Sequence, residues 1–278
     1  MFLLYGYRLL RSFALLIPVF TISSCNNSND AEDYNADKEH RVFSTSFEEI
    51  KDFANFYIVP PGDHGSDHSL SDDRVYSGNY SHKAVIVVPN DSDNDSQDYK
   101  PHRAYPTVQF QKTEEGVFQT PVLVTLWVWL DINLEFRDGI DDWFSFATLS
   151  PDTSDEWSRT VVVNLTTDGF VRLVHIPNQG EQIHLFQMDS AGENVSFPLK
   201  TWTRLDVFID FSKSNGYAKV WQNGALVSHA LVNGGNGSLA QAHFGLYSSA
   251  AISEGVIYND DLTILEVTDE NEALGFIQ

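Results

Sequence analysis

The chain has 278 residues, with 39 acidic against 17 basic side chains and a formal net charge of −22 at pH 7. That balance excludes nucleic acid and anionic membrane surfaces as partners, because both would repel it. A single cysteine excludes an internal disulfide, and the longest apolar run beyond the N-terminus, residues 122–130, is far short of the roughly 20 residues that a membrane-spanning helix needs.

In chain order, residues 1–24 carry Arg8 and Arg11 and then an apolar stretch from Ser12 to Ser24, the pattern of a secretory signal. The string Ile22-Ser23-Ser24-Cys25 resembles the lipobox of bacterial lipoproteins. The resemblance implies lipidation of Cys25, a new N-terminus there, and a place on the outer membrane, at the cell surface or the periplasmic face, held by the lipid alone. A secreted protein with a cysteine near its cleavage site is the alternative, and either one leaves the cytoplasm. Loss of Arg8 and Arg11 would take the net charge from −22 to −24. Residues 26–40 are polar and acidic with little to bury, so the expected organisation is a signal peptide 1–24, a disordered acidic tether 25–41 and one domain, 42–278.

From Val42 onward apolar residues recur with period two in short segments split by Gly, Asn, Asp and Pro, which predicts an all-β sandwich of two antiparallel sheets. Strands are expected at 103–111, 122–131, 143–149, 159–165, 170–176, 182–188, 202–210, 217–221, 225–231, 243–248 and 256–267. Asp168-Gly169, Asn215-Gly216, Asn223-Gly224 and Asn233-Gly234-Gly235 mark turns between them.

Strand parity sorts the side chains. Arg103, Tyr105, Thr107, Gln109 and Gln111 fall on one side of their segment, and Ala104, Pro106, Val108 and Phe110 on the other. In 122–131 a purely aliphatic side opposes Thr125, Trp127, Trp129 and Asp131. If these two polar faces belong to one sheet surface, Trp127 and Trp129 floor a groove that Arg103, Tyr105, Gln109 and Gln111 line. Such a surface suits sugars, whose C–H faces stack on aromatics while hydroxyls and carboxylates take planar hydrogen bonds. The alternative is that both indoles fill a core layer. His175 is either a groove residue or a core histidine bonded to a backbone carbonyl. His243 and Tyr247 share a face across Gly245, which leaves room for a ligand or marks a bulge.

The runs Trp202–Asp210, Gly216–Gly224, Ala242–Tyr247 and Val256–Asp261 resemble the concanavalin A-like jelly roll of polysaccharide lyases, in particular heparinase I-like and alginate lyase-like enzymes. In those enzymes a late strand ends in a Lys-Ala-Gly-Val-Tyr-like string, matched here by His243-Phe244-Gly245-Leu246-Tyr247. Gln241 stands where the alginate lyase pattern has a catalytic tyrosine, and Val108-Gln109-Phe110 has the glutamine but not the histidine of the family's Gln-Ile-His string. The resemblance implies β-elimination on a uronic acid. That reaction needs a group to neutralise the C6 carboxylate (Arg103, Gln109), a base for the C5 proton (His243 or His175) and an acid for the leaving oxygen (Tyr247 or Tyr105). Jelly-roll carbohydrate modules resembling this one also tie an early Glu and a late Asp to one structural Ca²⁺, which implies Glu48, Asp260 and Asp261 as its ligands; plain surface carboxylates are the alternative.

Glycoside hydrolysis lacks its Glu-x-Asp-x-x-Glu strand, and Gly-x-Ser-x-Gly is absent. The expected function is a polysaccharide lyase on an extracytoplasmic lipoprotein, with a non-catalytic carbohydrate-binding module of a glycan-uptake system as the alternative. Convergence of Arg103, Gln109, a histidine and Tyr247 separates the first from the second, which needs only Trp127 and Trp129.

Overall fold

Two eight-stranded antiparallel sheets face each other in the computed structural model, which describes residues 40–53, 56–58, 65–88, 101–137, 139–177, 184–186 and 195–277. The predicted leader, Cys25 and almost all of the tether lie outside these residues. The front sheet runs His184–Phe186, Val171–Ile176, Thr160–Thr166, Trp143–Ser150, Gln241–Ser248, Pro106–Gln109 and Phe56–Ile58, with His102–Ala104 also paired to Gln241–Ser248. The back sheet runs Ala225–Val232, Gly216–Gln222, Thr203–Asp210, Val122–Ile132, Gly255–Glu266, Ser81–Ile86 and Ser66–Ser71, with Val42–Thr45 paired to Gly255–Glu266. Consecutive strands pair at one end of each sheet, while strands distant in sequence meet at its centre, as a jelly roll requires.

The core fills the space between the sheets. Val122, Val124, Leu126, Val128 and Leu130 project from the back sheet against Phe144, Phe146, Leu149, Val161 and Val163 from the front, all of them fully buried. Each such side chain contributes about 1.5–3 kcal/mol, and this burial, with no cysteine beyond Cys25, holds the domain together. The predicted alternation therefore selects the correct inward face in both segments where it is sharpest.

Three departures from the predicted strands have local causes. The segment 103–111 is not one strand: it breaks at Tyr105, resumes at Pro106 and ends in a 3-10 turn at Phe110–Lys112. Its two halves pair with the same neighbour, the first with Leu246–Ser248 and the second with Gln241–His243, on either side of Gly245. Ser66–Ser71 and Ser81–Ile86 were not expected as strands, because Ser, Asp and His crowd them and blur the alternation. A short helix, Glu270–Leu274, capped by Asp269 accepting from the Glu272 amide, seats Ala273 against Leu123, Phe208 and Trp221 on the outside of the back sheet. His40 and Arg41, placed in the tether by composition, already belong to the fold. The His40 ring bonds the Glu266 carbonyl and pairs with Glu272, while Arg41 donates to the carbonyls of Gly116 and Val117.

A Leu126→Ala substitution removes a fully buried side chain at the centre of the back sheet. It is expected to lower unfolding free energy by about 2–5 kcal/mol, read from the urea midpoint at constant slope.

Candidate functional site

The strand Gln241–Ser248 organises the outer face of the front sheet. Ala242, Phe244 and Leu246 enter the core, so Gln241, His243 and Tyr247 point outward. Register then sets three rungs across the face. Gln109 lies beside Gln241, Thr107 beside His243 and Arg103 beside Tyr247. On the opposite side, Ser150, Thr148 and Ser145 lie beside the same three residues. Pairing shifts between Ser145 and Ala147, where Phe146 and Ala147 both turn inward, a bulge that re-aims the strand beside Tyr247.

Gly245 does not leave an open space. Its φ is 128°, and a Cβ there would lie 3.0 Å from the His82 ring, 3.1 Å from the Ala104 carbonyl and 3.2 Å from Tyr105 Cβ. The missing side chain lets Tyr105 come down onto its neighbour: the Tyr105 and His243 rings stack at 3.9 Å with 11° between planes. Trp157 covers His243 from another side at 5.1 Å, Tyr247 meets it edge-on at 5.5 Å, and Trp143 meets Tyr247 edge-on at 4.8 Å. Loop 151–158 holds Trp157 at a φ of 54°. That loop is wound about Asp152, whose carboxylate accepts from the amides and hydroxyls of Ser154 and Ser158.

This enclosure fixes the protonation states. Burial first, and the Arg103 charge second, push the His243 imidazole down to about 3, so it is neutral at physiological pH. Burial likewise pushes the Tyr105 phenol up to about 12. The Arg103 guanidinium lies 5.6 Å from the centre of the Tyr247 ring, its Nε is buried without a hydrogen-bond partner, and no carboxylate pairs with it among the described residues. Arg137, Arg172 and Arg204, by contrast, are all salt-bridged to aspartates. Beside this cluster a cavity of about 510 Å³ opens over Trp143, Val162, Asn164, Arg172, Val174 and Tyr247, bounded at one end by Asp141, Asp142 and Asp168.

Arg103, Tyr105, Gln109, His243 and Tyr247 thus share one face, and the other expected residues lie elsewhere. Gln109 is tied down, donating to Asp155 and Gln241 and accepting from Lys112. Gln111 sits on the 3-10 turn, its Nε2 3.5 Å from Gln241 Oε1. His175 is on the inward side of Val171–Ile176 with Val171 and Leu173. Its Nδ1 donates to the Thr160 carbonyl and its Nε2 accepts from the Asn233 amide, which makes it a neutral core histidine with no route to the face.

Trp127 and Trp129 do not join Arg103 on a common groove. Their strand is in the back sheet, and its aliphatic side takes the core, so both indoles emerge on the opposite surface of the sandwich. There Tyr76 stacks on Trp127 at 3.8 Å and Arg74 lies over Trp129 at 4.0 Å. The same loop engages the three expected metal ligands. Glu48, which lies just beyond the strand Val42–Thr45, accepts from the amides of Asn79 and Tyr80. Asp260 accepts from those of Tyr76 and Ser77, and Asp261 from the Ser77 hydroxyl. Burial raises the Asp260 carboxyl to about 6 although these amides oppose it. The donors have the all-oxygen chemistry of a hard cation site, but among the described residues no three such side chains are gathered to hold a metal ion as they stand.

Sequence reasoning passed over Trp143, Thr148, Trp157, Asn164 and Arg172. Strand parity could have found Trp143, Asn164 and Arg172, but only once it was known which face of the front sheet is outward. Trp157 sits in a loop and carries no periodic signal.

No protein-family model matches the chain, and no curated protein matches it in sequence. Solved structures do match. An endo-β-1,4-glucuronan lyase from the fungus Trichoderma reesei is similar at a TM-score of 0.52 and 14% identity, over 76% of this chain and 90% of that one. The cellulose-induced protein Cip1 is similar at 0.54 and 16%, over 80% and 96%. The fold is a concanavalin A-like jelly roll. At such identities the likeness is one of fold, and the chemistry rests on the face just described.

Because the unfolded imidazole titrates near 6.5 and His243 in the jelly roll at about 3, the unfolded chain binds the extra proton between those values. Stability therefore falls as pH falls through that window, by up to ~1.4 kcal/mol per pH unit from this group. Buried His82, also held well below its ordinary value, adds a contribution of the same sign. A His243→Gln variant is expected to show a shallower loss of urea midpoint between pH 6 and pH 4 than the parent; equal slopes would contradict the assignment.

Proposed function

We propose that the outer face of the front sheet binds a uronic-acid-containing polysaccharide and cleaves it by β-elimination. The observation that carries this reading is the convergence of a guanidinium with no carboxylate partner among the described residues, a neutral imidazole and a tyrosine: Arg103, His243 and Tyr247 on adjacent rungs of one face. Arg103 pairs with the C6 carboxylate and so acidifies the C5 proton. His243 takes that proton, the electron pair forms the C4–C5 double bond, the C4–O bond breaks, and the Tyr247 hydroxyl protonates the departing oxygen. Pairing of Arg103 with the carboxylate offsets the lesser of the two causes that depress the His243 imidazole, while burial, the larger, remains.

A non-catalytic glycan-binding module is the second reading, favoured by the burial of His243 beneath Tyr105 and Trp157, which limits access to its nitrogens. The same proposal includes an outer-membrane lipoprotein tethered through Cys25 as the setting in which such a domain meets extracytoplasmic glycan.

The test is ultraviolet absorbance of the unsaturated uronide, followed as the purified protein is incubated with a panel of uronic-acid polysaccharides. Absorbance should rise on at least one polymer, and Arg103→Ala and Tyr247→Phe should each reduce the rate by about 100-fold or more. Retention in glycan affinity gels with no absorbance change on any polymer would favour the binding module.

We also propose that Glu48, Asp260 and Asp261 take Ca²⁺ and so clamp residues 76–80. They carry three carboxylates to one loop, and no Lys or Arg is salt-bridged to them among the described residues. A chelator should lower the melting temperature and excess Ca²⁺ should restore it, whereas Asp260→Asn should abolish that response. An unchanged melting temperature would remove the ion.

A further inference from the structure

Building on the reading of the front face as a glycan site, the arrangement of charge along the cavity narrows the class of glycan. Arg103, Tyr247, Ser145, Asn164 and Arg172 form one continuous rung across five neighbouring strands. Four inter-strand steps of ~4.8 Å put its ends about 19 Å apart, room for a short oligosaccharide laid across the strands. The two arginines are not equivalent. Arg103 has no carboxylate partner among the described residues, while the Arg172 guanidinium already donates to Asp168 at 2.7 Å.

Between and beyond them the cavity offers acceptors. Asn164, which lines it, has an Oδ1 with no hydrogen-bond partner among the described residues. Asp141 is exposed at the cavity end, held by the Thr167 hydroxyl at 2.7 Å and without a cationic partner among the described residues. Asp142 shares Arg137 with Glu135, so that group of three still carries net negative charge. A carboxylate only accepts hydrogen bonds, whereas hydroxyl, acetamido and ammonium groups donate them. Val162, Val174 and Ile176 add an apolar floor for the C–H face of a ring.

We propose that this face selects a heteropolysaccharide: a uronate at Arg103, which neighbours the cavity through Tyr247, and in the cavity itself a neutral or amino sugar, with Asp141 as the specificity-determining residue that rejects a second carboxylate.

The test is affinity electrophoresis and product formation with the intact protein on two substrates, a homopolyuronate and a glycan in which uronate alternates with a neutral or amino sugar. The protein should bind the alternating glycan at least about tenfold more tightly. Asp141→Arg, an exposed site where folding is checked by circular dichroism, should raise affinity for the homopolyuronate by about tenfold. Asp141→Asn should move it in the same direction by less. Preference for the homopolyuronate, or an Asp141→Arg variant with an unchanged preference, would overturn the inference. Selective binding without unsaturated product would end the lyase reading and leave this one standing. No binding of either glycan by folded protein would overturn both.

Discussion

The strand Gln241–Ser248 is constrained on both sides at once. Its even-numbered residues Ala242, Phe244 and Leu246 are fully buried in the core, and its odd-numbered residues Gln241, His243 and Tyr247 make the centre of the front face. A one-residue slip in register would exchange the two sets, placing Phe244 outside and His243 in an apolar core, at the cost of both. The core therefore fixes the site. Three neighbouring strands, Trp143–Ser150, His102–Ala104 and Pro106–Gln109, take their register from this one, and they deliver Ser145, Arg103 and Gln109 to their rungs.

Within that frame, electrostatics is uneven in a way that composition conceals. The chain carries an excess of acid, and Arg137, Arg172 and Arg204 are spent on local carboxylates. Arg103 is left beside neutral rings. A guanidinium whose buried Nε has no hydrogen-bond partner among the described residues is an energetic liability. The neighbouring histidine is neutral for a related reason: Tyr105, Trp157 and Tyr247 displace the water that would solvate its charge.

The back sheet meets the same demands with a structural result. Trp127 and Trp129 serve as a bed for the loop carrying Arg74 and Tyr76, and the carboxylates of Glu48, Asp260 and Asp261 hold that loop by its amides and a hydroxyl. Aromatic rings next to acidic side chains suggest a sugar site when read along one strand. Here those rings cover the far surface of the sandwich and are themselves covered, Tyr76 remaining 42% exposed above Trp127.

Period-two alternation was enough to establish an all-β sandwich, most of its strands and the inward faces of 103–111 and 122–131, because burial of alternate side chains is a local pattern that each strand must carry for itself. Shared parity also brought His243 and Tyr247 together, and Arg103 with Tyr105 and Gln109, since residues two or four apart on a strand need no other information. The pairing of those two groups, the removal of Trp127 and Trp129 to the other sheet, the inward turn of His175 and the arrival of Trp157 from a loop were decided by tertiary structure alone. Strand order and sheet membership depend on contacts between residues more than a hundred positions apart, such as Arg103 with Tyr247, and no periodicity within a single segment encodes them.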